Sequence, residues 1–219
     1  IAQNAKRFAQ ALAALGLTQG QRVATIAWNN HRHLEAWYAI SGTGLVCHTI
    51  NPRLFPEQVE FIVNDAEDQV IIFDKTFLPL VKAVQDKIPS VRHFICLDAV
   101  DPDIQVALPH VHFYDDLIAA QNGQLEWPSF DENLASSLCY TSGTTGFPKG
   151  VMLTFHNLLV NINAISSKEV PIFNKNSSTL ILLPLHHVMP LVGTLIAPIF
   201  TESQVVLCPT MLAPDIMAA

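Results

Sequence analysis

Apolar residues recur at three- and four-residue steps in the opening stretch, at Ala5, Phe8, Ala9, Leu12 and Leu15. This spacing predicts an amphipathic helix over 2–15, stopped by Gly16. A short apolar run at 22–28 predicts a buried strand, and Asn29-Asn30 ends it. Helical periodicity returns at 31–41, where Leu34, Trp37, Tyr38 and Ile40 face inward. A strand at 46–50 stops at Asn51-Pro52. Pro56-Glu57 opens a helix over 56–64, with proline at its first position and an acid beside it. The same alternation continues with a strand at 70–73, a helix at 76–87 and a strand at 93–97. Residues 98–112, rich in Asp and Pro, read as loop, followed by a short helix at 114–120.

From residue 134 the chain turns apolar again. Strands are expected at 134–141 and 150–154, a helix at 156–166, a strand at 178–183, a helix containing Gly193 and Pro198, and a strand at 204–208. Strand and helix alternating in this way define an α/β fold. Its βα units form largely parallel sheets flanked by helices. Asn122-Gly123 and Trp127-Pro128 mark an irregular junction, so the expected division is a first α/β subdomain over 1–130 and the start of a second over 131–219.

Composition narrows the function. Half of the 219 residues are apolar, 14% are charged and the formal net charge is −7. Without a basic cluster to neutralise phosphates, no nucleic-acid partner is expected. The apolar stretch 180–200 contains Pro184, Pro190, Pro198 and the pair His186-His187, so no transmembrane segment is expected there. Cys47, Cys96, Cys139 and Cys208 lie far apart in apolar surroundings and read as buried reduced thiols of a cytoplasmic, at most membrane-peripheral, protein. Scattered histidines, including His31/His33 and His110/His112, lack acidic or thiol partners that would make them metal ligands. The opening helix, without an initiator Met, and the end at Met217-Ala218-Ala219 suggest a segment of a longer protein.

The densest chemistry lies in Tyr140-Thr-Ser-Gly-Thr-Thr-Gly-Phe-Pro-Lys149-Gly150. Four aliphatic hydroxyls, three glycines and a lysine fall within eleven residues. Hydroxyls donate to anionic oxygens, glycines let backbone N–H groups approach, and lysine supplies charge. This inventory suits a nucleoside triphosphate or pyrophosphate. The spacing is not that of a Walker A loop, since two residues separate Gly143 from Gly146 and Gly150 follows Lys149. The loop joins two predicted strands, so anion affinity would come from its own N–H groups, hydroxyls and lysine rather than from a helix terminus. A surface hairpin rich in turn residues is the competing reading; it accounts for Gly143, Gly146 and Pro148 but less well for the hydroxyls and lysine.

Residues 140–151 resemble the signature of the adenylate-forming superfamily, which holds acyl-CoA synthetases, luciferases and peptide-synthetase adenylation domains. Leu183-Pro-Leu-His-His187 resembles the next core motif of that superfamily. Asn29-Asn-His-Arg-His-Leu-Glu-Ala-Trp-Tyr and His48-Thr-Ile-Asn-Pro-Arg53 resemble bacterial medium- and long-chain fatty-acyl-CoA synthetases. The resemblance spans essentially the whole chain. It implies part of the large N-terminal domain of an adenylate-forming enzyme, with the small C-terminal domain and its catalytic lysine absent from these residues.

The resemblance further implies ATP, Mg²⁺ and CoA, with a small-molecule carboxylic acid as the other substrate, and a homodimer is one compatible assembly. Ser142, Gly143, Thr144, Thr145 and Gly146 would wrap the β- and γ-phosphates, with Lys149 adding charge. Thr141 matches a position that helps hold magnesium, and His187 matches the histidine beside the substrate carboxylate and α-phosphate. His186 reads as shape-filling. Two departures stand out. Val188-Met189-Pro190-Leu191 lacks the tryptophan that some relatives with a fatty-acid tunnel carry, and Phe155 replaces the usual histidine, with His156 next to it. The expected activity of the parent protein is ATP-dependent acyl-CoA synthesis. The alternatives are an amino-acid or aryl-acid adenylating enzyme, or a non-catalytic nucleotide-binding or structural fragment.

Overall fold

The computed structural model describes residues 1–141, 148–166, 174–186 and 191–207; for Leu191 and Thr194 only the backbone is described. A mixed sheet runs in the order β5-β4-β3-β1-β2-β6-β7. Its strands are β1 (Arg22–Ile26), β2 (Val46–Thr49), β3 (Val70–Phe73), β4 (His93–Cys96), β5 (Val111–Phe113), β6 (Ala135–Thr141) and β7 (Lys149–Thr154). Every pairing is parallel except β6 with β7. Helices cover both faces: α1 (Ala2–Ala14), α2 (His31–Gly42), α3 (Pro56–Ala66), α4 (Leu78–Val84), α5 (Pro102–Ala107) and α6 (Tyr114–Ala119).

The strands are apolar on both sides because both sides are covered. Val23, Cys47, Val70, Ile72 and Ile95 pack with Phe8, Leu12, Leu34, Trp37, Ile40 and Tyr114 of α1, α2 and α6. Their neighbours in sequence, Ala24, Ile71, Phe73 and Cys96, face the other way. They meet Val59, Ile62 and Val63 of α3, Val81 and Val84 of α4, and Ile104 of α5. The period-2 alternation of a strand thus feeds two separate cores.

The chain continues through α7 (Phe155–Ile165), β8 (Ser178–Ile181), a π-helical turn (Leu191–Ile196), α8 (Ala197–Thr201) and β9 (Gln204–Leu207). Strands β8 and β9 pair in parallel as a second sheet. Leu158, Ile181, Leu185 and Leu195 join the core beneath α1 and α2, so the two sheets share one apolar interior. The coil before β6 contains the boundary expected at 130/131, and β6 and β7 on its far side belong to the first sheet. No described helix is long and apolar enough to cross a membrane.

Three expectations are corrected. Residues 98–112 are not all loop: Asp101 caps α5 by accepting from the Asp103 amide, Pro102 occupies its first turn, and β5 follows at Val111. Asp and Pro here start a helix, a capping pattern that the loop reading overlooked. The expected helix over 76–87 breaks into a 3₁₀ turn (Lys75–Phe77), α4 and a second 3₁₀ turn (Gln85–Lys87). Pro79 lacks an N–H and is tolerated only in a first turn, so the α-helix begins at Leu78. Likewise β1 stops at Ile26, because the Trp28 amide donates to Asp74 at 2.6 Å instead of continuing the ladder.

Candidate functional site

Strands β6 and β7 form an antiparallel hairpin with the register Leu138↔Met152, Cys139↔Val151, Tyr140↔Gly150 and Thr141↔Lys149. The strand–loop–strand setting expected for 140–150 is therefore present. Thr141 and Lys149 are the last paired residues on either side of the loop, and both are exposed. An ammonium and a hydroxyl thus stand opposite each other where the chain enters and leaves the loop. Ser142, Gly143, Thr144, Thr145 and Gly146 lie outside the described residues, as does His187.

The stem is built for close packing. A Cβ on Gly150 would meet Tyr140 Cζ at 3.1 Å and Leu138 Cδ1 at 3.2 Å. Glycine at 150 therefore gives the Tyr140 ring its place across the ladder. The phenol donates to Asp65 Oδ2 at 2.6 Å, and the ring lies against His48 with centroids 5.1 Å apart. Burial and the neighbouring Asp65 carboxylate push the Tyr140 phenol well above its usual range. His48 Nδ1 in turn meets Asp68 Oδ2 at 2.7 Å, and both side chains are fully buried. Burial raises the Asp68 carboxyl, against the opposing pull of His48.

Leu183 and Pro184, at the start of the second motif, follow β8. The Asn29 side-chain amide donates to the Leu183 carbonyl at 2.9 Å, tying this segment to the β1–α2 turn. That turn is itself tightly held. Asn30 caps α2 by accepting from the His33 amide, and its own amide group donates to Asp74. Leu185 is buried and Tyr38 on α2 donates to the Leu195 carbonyl at 2.9 Å. The 29–38 resemblance segment is thereby tied, through Asn29, to Leu183 at the start of the second motif.

Sequence reasoning did not single out Tyr140 with Asp65, His48 with Asp68, or the Asn29 link. A polar His48 inside the apolar run 46–50 was the available signal, because a buried imidazole needs a partner. The other histidines fall differently. His93 Nδ1 and His112 Nε2 are 3.3 Å apart on β4 and β5, and burial lowers both imidazoles from their ordinary value. Among the described residues no three His, Cys, Asp or Glu side chains gather closely enough to hold a metal ion. Cys47, Cys96 and Cys139 are buried and unpaired with one another.

The family model described as AMP-binding enzyme matches residues 1–219, and the chain belongs to that family. It is 48% identical over 188 residues to 3-methylmercaptopropionyl-CoA ligase of Ruegeria lacuscaerulensis, a match covering 86% of this chain and 35% of the ligase. It is 43% identical over 184 residues to medium-chain-fatty-acid–CoA ligase of Ectopseudomonas oleovorans, covering 84% of this chain and 34% of that enzyme. The chain thus spans about a third of the length of these relatives. Among solved structures, the inhibitor-bound N-terminal domain of FACL13 from Mycobacterium tuberculosis superposes with a TM-score of 0.82 at 25% identity, over 99% of this chain and 51% of that one. The α/β fold is that of the N-terminal domain of adenylate-forming enzymes, of which this chain forms a part, and its curated relatives are acid–thiol ligases.

Proposed function

We propose that the complete protein activates a fatty or related carboxylic acid with ATP and transfers the acyl group to CoA. The observation that carries this reading is the β6–β7 hairpin, with Thr141 and Lys149 in register at the mouth of the signature loop, in a chain of the AMP-binding family. In the first step a carboxylate oxygen attacks the α-phosphorus. The α–β P–O bond breaks, and pyrophosphate leaves with the electron pair. In the second step the CoA thiolate attacks the acyl carbonyl and AMP leaves. The first step brings two anions together and builds charge on the leaving pyrophosphate, so cations and N–H donors placed there lower its barrier.

In this reading Ser142, Thr144, Thr145 and the backbone of Gly143 and Gly146 cradle the β- and γ-phosphates. Lys149 faces the same charge from the return strand. His187 donates to the reacting carboxylate or α-phosphate oxygens. The hydroxyl of Thr141 is an oxygen donor of the kind a hard divalent cation takes, and its exposure at the mouth leaves it accessible. Magnesium bound there would neutralise phosphate charge. Of the second subdomain expected from residue 131, β6 and β7 extend the first sheet, so the remaining length of the protein would build on β8 and β9.

Acid-dependent ATP–pyrophosphate exchange by the full-length protein tests the reading. Lys149→Ala should lower kcat/KM for ATP on the order of 30-fold, the worth of one charge-assisted phosphate contact. Exchange unaffected by Lys149→Ala and His187→Ala together would overturn the residue assignments. A panel of fatty, aryl and amino acids decides the acid class.

A further inference from the structure

The stem of the hairpin carries more polar machinery than a turn requires. Tyr140 is the residue immediately before the Thr141↔Lys149 pair, and its ring crosses to Gly150 on the opposite strand. Three things fix that ring. Its hydroxyl donates to Asp65 near the end of α3 at 2.6 Å. The ring packs against His48 at a tilt of 41°, centroids 5.1 Å apart. The missing side chain at Gly150 leaves room for it, since a Cβ there would lie 3.3 Å from the phenol oxygen. His48 is itself held by Asp68 at 2.7 Å with neither side chain exposed. Arg22 secures the segment bearing these acids, donating to the Ala66 carbonyl and pairing with Glu67 at 2.9 Å.

The His48–Asp68 pair is costly to bury. Among the described residues, His48 Nε2 and Asp68 Oδ1 have no hydrogen-bond partner although both atoms are inaccessible. Apolar side chains of the same volume would stabilise this position at least as well. A buried polar pair does supply orientation: it holds the imidazole in one plane, and the imidazole sets the plane of the tyrosine ring. That ring covers the ladder pair next to Thr141 and Lys149. The line of contacts therefore runs from the sheet interior to both ends of the loop.

Resting on the adenylation reading above, we propose that Tyr140, clamped by Asp65 and by the His48–Asp68 pair, is a positioning residue that aims the Thr141 and Lys149 ends of the loop at the ATP phosphates. It touches no reacting atom. Its effect is on how the nucleotide is met rather than on how the acid is held.

The test uses the full-length protein and acid-dependent ATP–pyrophosphate exchange, with KM for ATP and for the acid measured separately. Asp65→Ala and Tyr140→Phe each remove the hydroxyl–carboxylate bond and keep the ring; Asp65 is exposed, so the first leaves the core intact. Each is expected to raise KM for ATP about five-fold with the KM for the acid unchanged. The double variant should be no worse than either single one, because both break the same bond. Tyr140→Leu, which also removes the ring contact with His48, should raise KM for ATP further. Wild-type constants for both single variants would overturn the proposal. So would a parallel rise in both KM values with a lowered melting temperature, the mark of a merely structural role. If the wild-type protein supports no exchange with any acid, the adenylation reading itself fails and this proposal with it. If the wild type exchanges and the two singles match it, only the positioning role fails.

Discussion

His33, in the first turn of α2, has both ring nitrogens engaged. Nδ1–H donates to the Trp28 carbonyl at 3.0 Å, which leaves Nε2 to accept from the Thr25 hydroxyl at 3.0 Å. Burial lowers the imidazole from 6.5 to about 4, so it stays neutral in the folded protein at ordinary pH. The unfolded chain protonates near its ordinary value while the folded one does not. The contribution of this site to stability is therefore full above about pH 6.5 and is lost as pH falls towards 4. A displacement of that size corresponds to about 3 kcal/mol. The urea midpoint should drop across this window, and His33→Gln should flatten the drop; an unchanged pH profile in that variant would contradict the assignment. Tyr140 and His48 teach the complementary lesson. Each was visible as a polar residue in an apolar run, yet nothing in the one-dimensional order links His48 to Asp68 or Tyr140 to Asp65. Those pairings exist because α3 returns the chain to the start of β3, 20 residues after His48 for Asp68.

Elements were the most legible level. Where a continuous apolar run or a helical period marked burial, as in β1 and β3 or in α2 and α7, the sequence located the element to within a few residues. Where local chemistry outweighed periodicity, the pattern failed. Asp101-Pro102 started a helix that hydrophobic spacing could not show, and Pro79 broke one that spacing predicted. The candidate site was legible as a loop between strands, but its supports were not, because they come from elements remote in sequence. Asn29 is the clearest case, reaching Leu183 across 154 positions. Removing that bond frees the start of the Leu183–His187 segment without disturbing Asn30, which caps α2. In the full-length protein Asn29→Ala should lower kcat for adenylate formation about five-fold while KM for ATP stays within two-fold. Asn29→Asp, isosteric but without the donor, should behave like Asn29→Ala. If Asn29→Asp restored wild-type kcat, the donated bond would not be what matters.

At the scale of the molecule, a mixed sheet, parallel except at β6–β7, carries helices on both faces, and the second sheet shares its interior. The outer side of this assembly is less finished. Val151 and Met152 on β7, Val160 on α7, and Ile199 and Phe200 on α8 are exposed, each at 44% or more. The chain spans about 35% of the length of its ligase relatives, and in those relatives the remaining length is where cover for such positions would come from. The 219-residue chain alone should form no detectable acyl-CoA from fatty acid, ATP and CoA, whereas the full-length protein should; turnover by the short chain near that of the long one would refute the division of labour. The antiparallel β7 on an otherwise parallel sheet has a last consequence. Because β7 pairs directly with β6, the two ends of the signature loop are held one strand spacing apart before the loop itself adopts any conformation. The entropy cost of closing a loop grows slowly with its length, and doubling that length would add only about 0.6 kcal/mol. Folding stability thus places almost no restriction on how long this loop is. In the adenylation reading its length would be set by the dimensions of the phosphates it encloses.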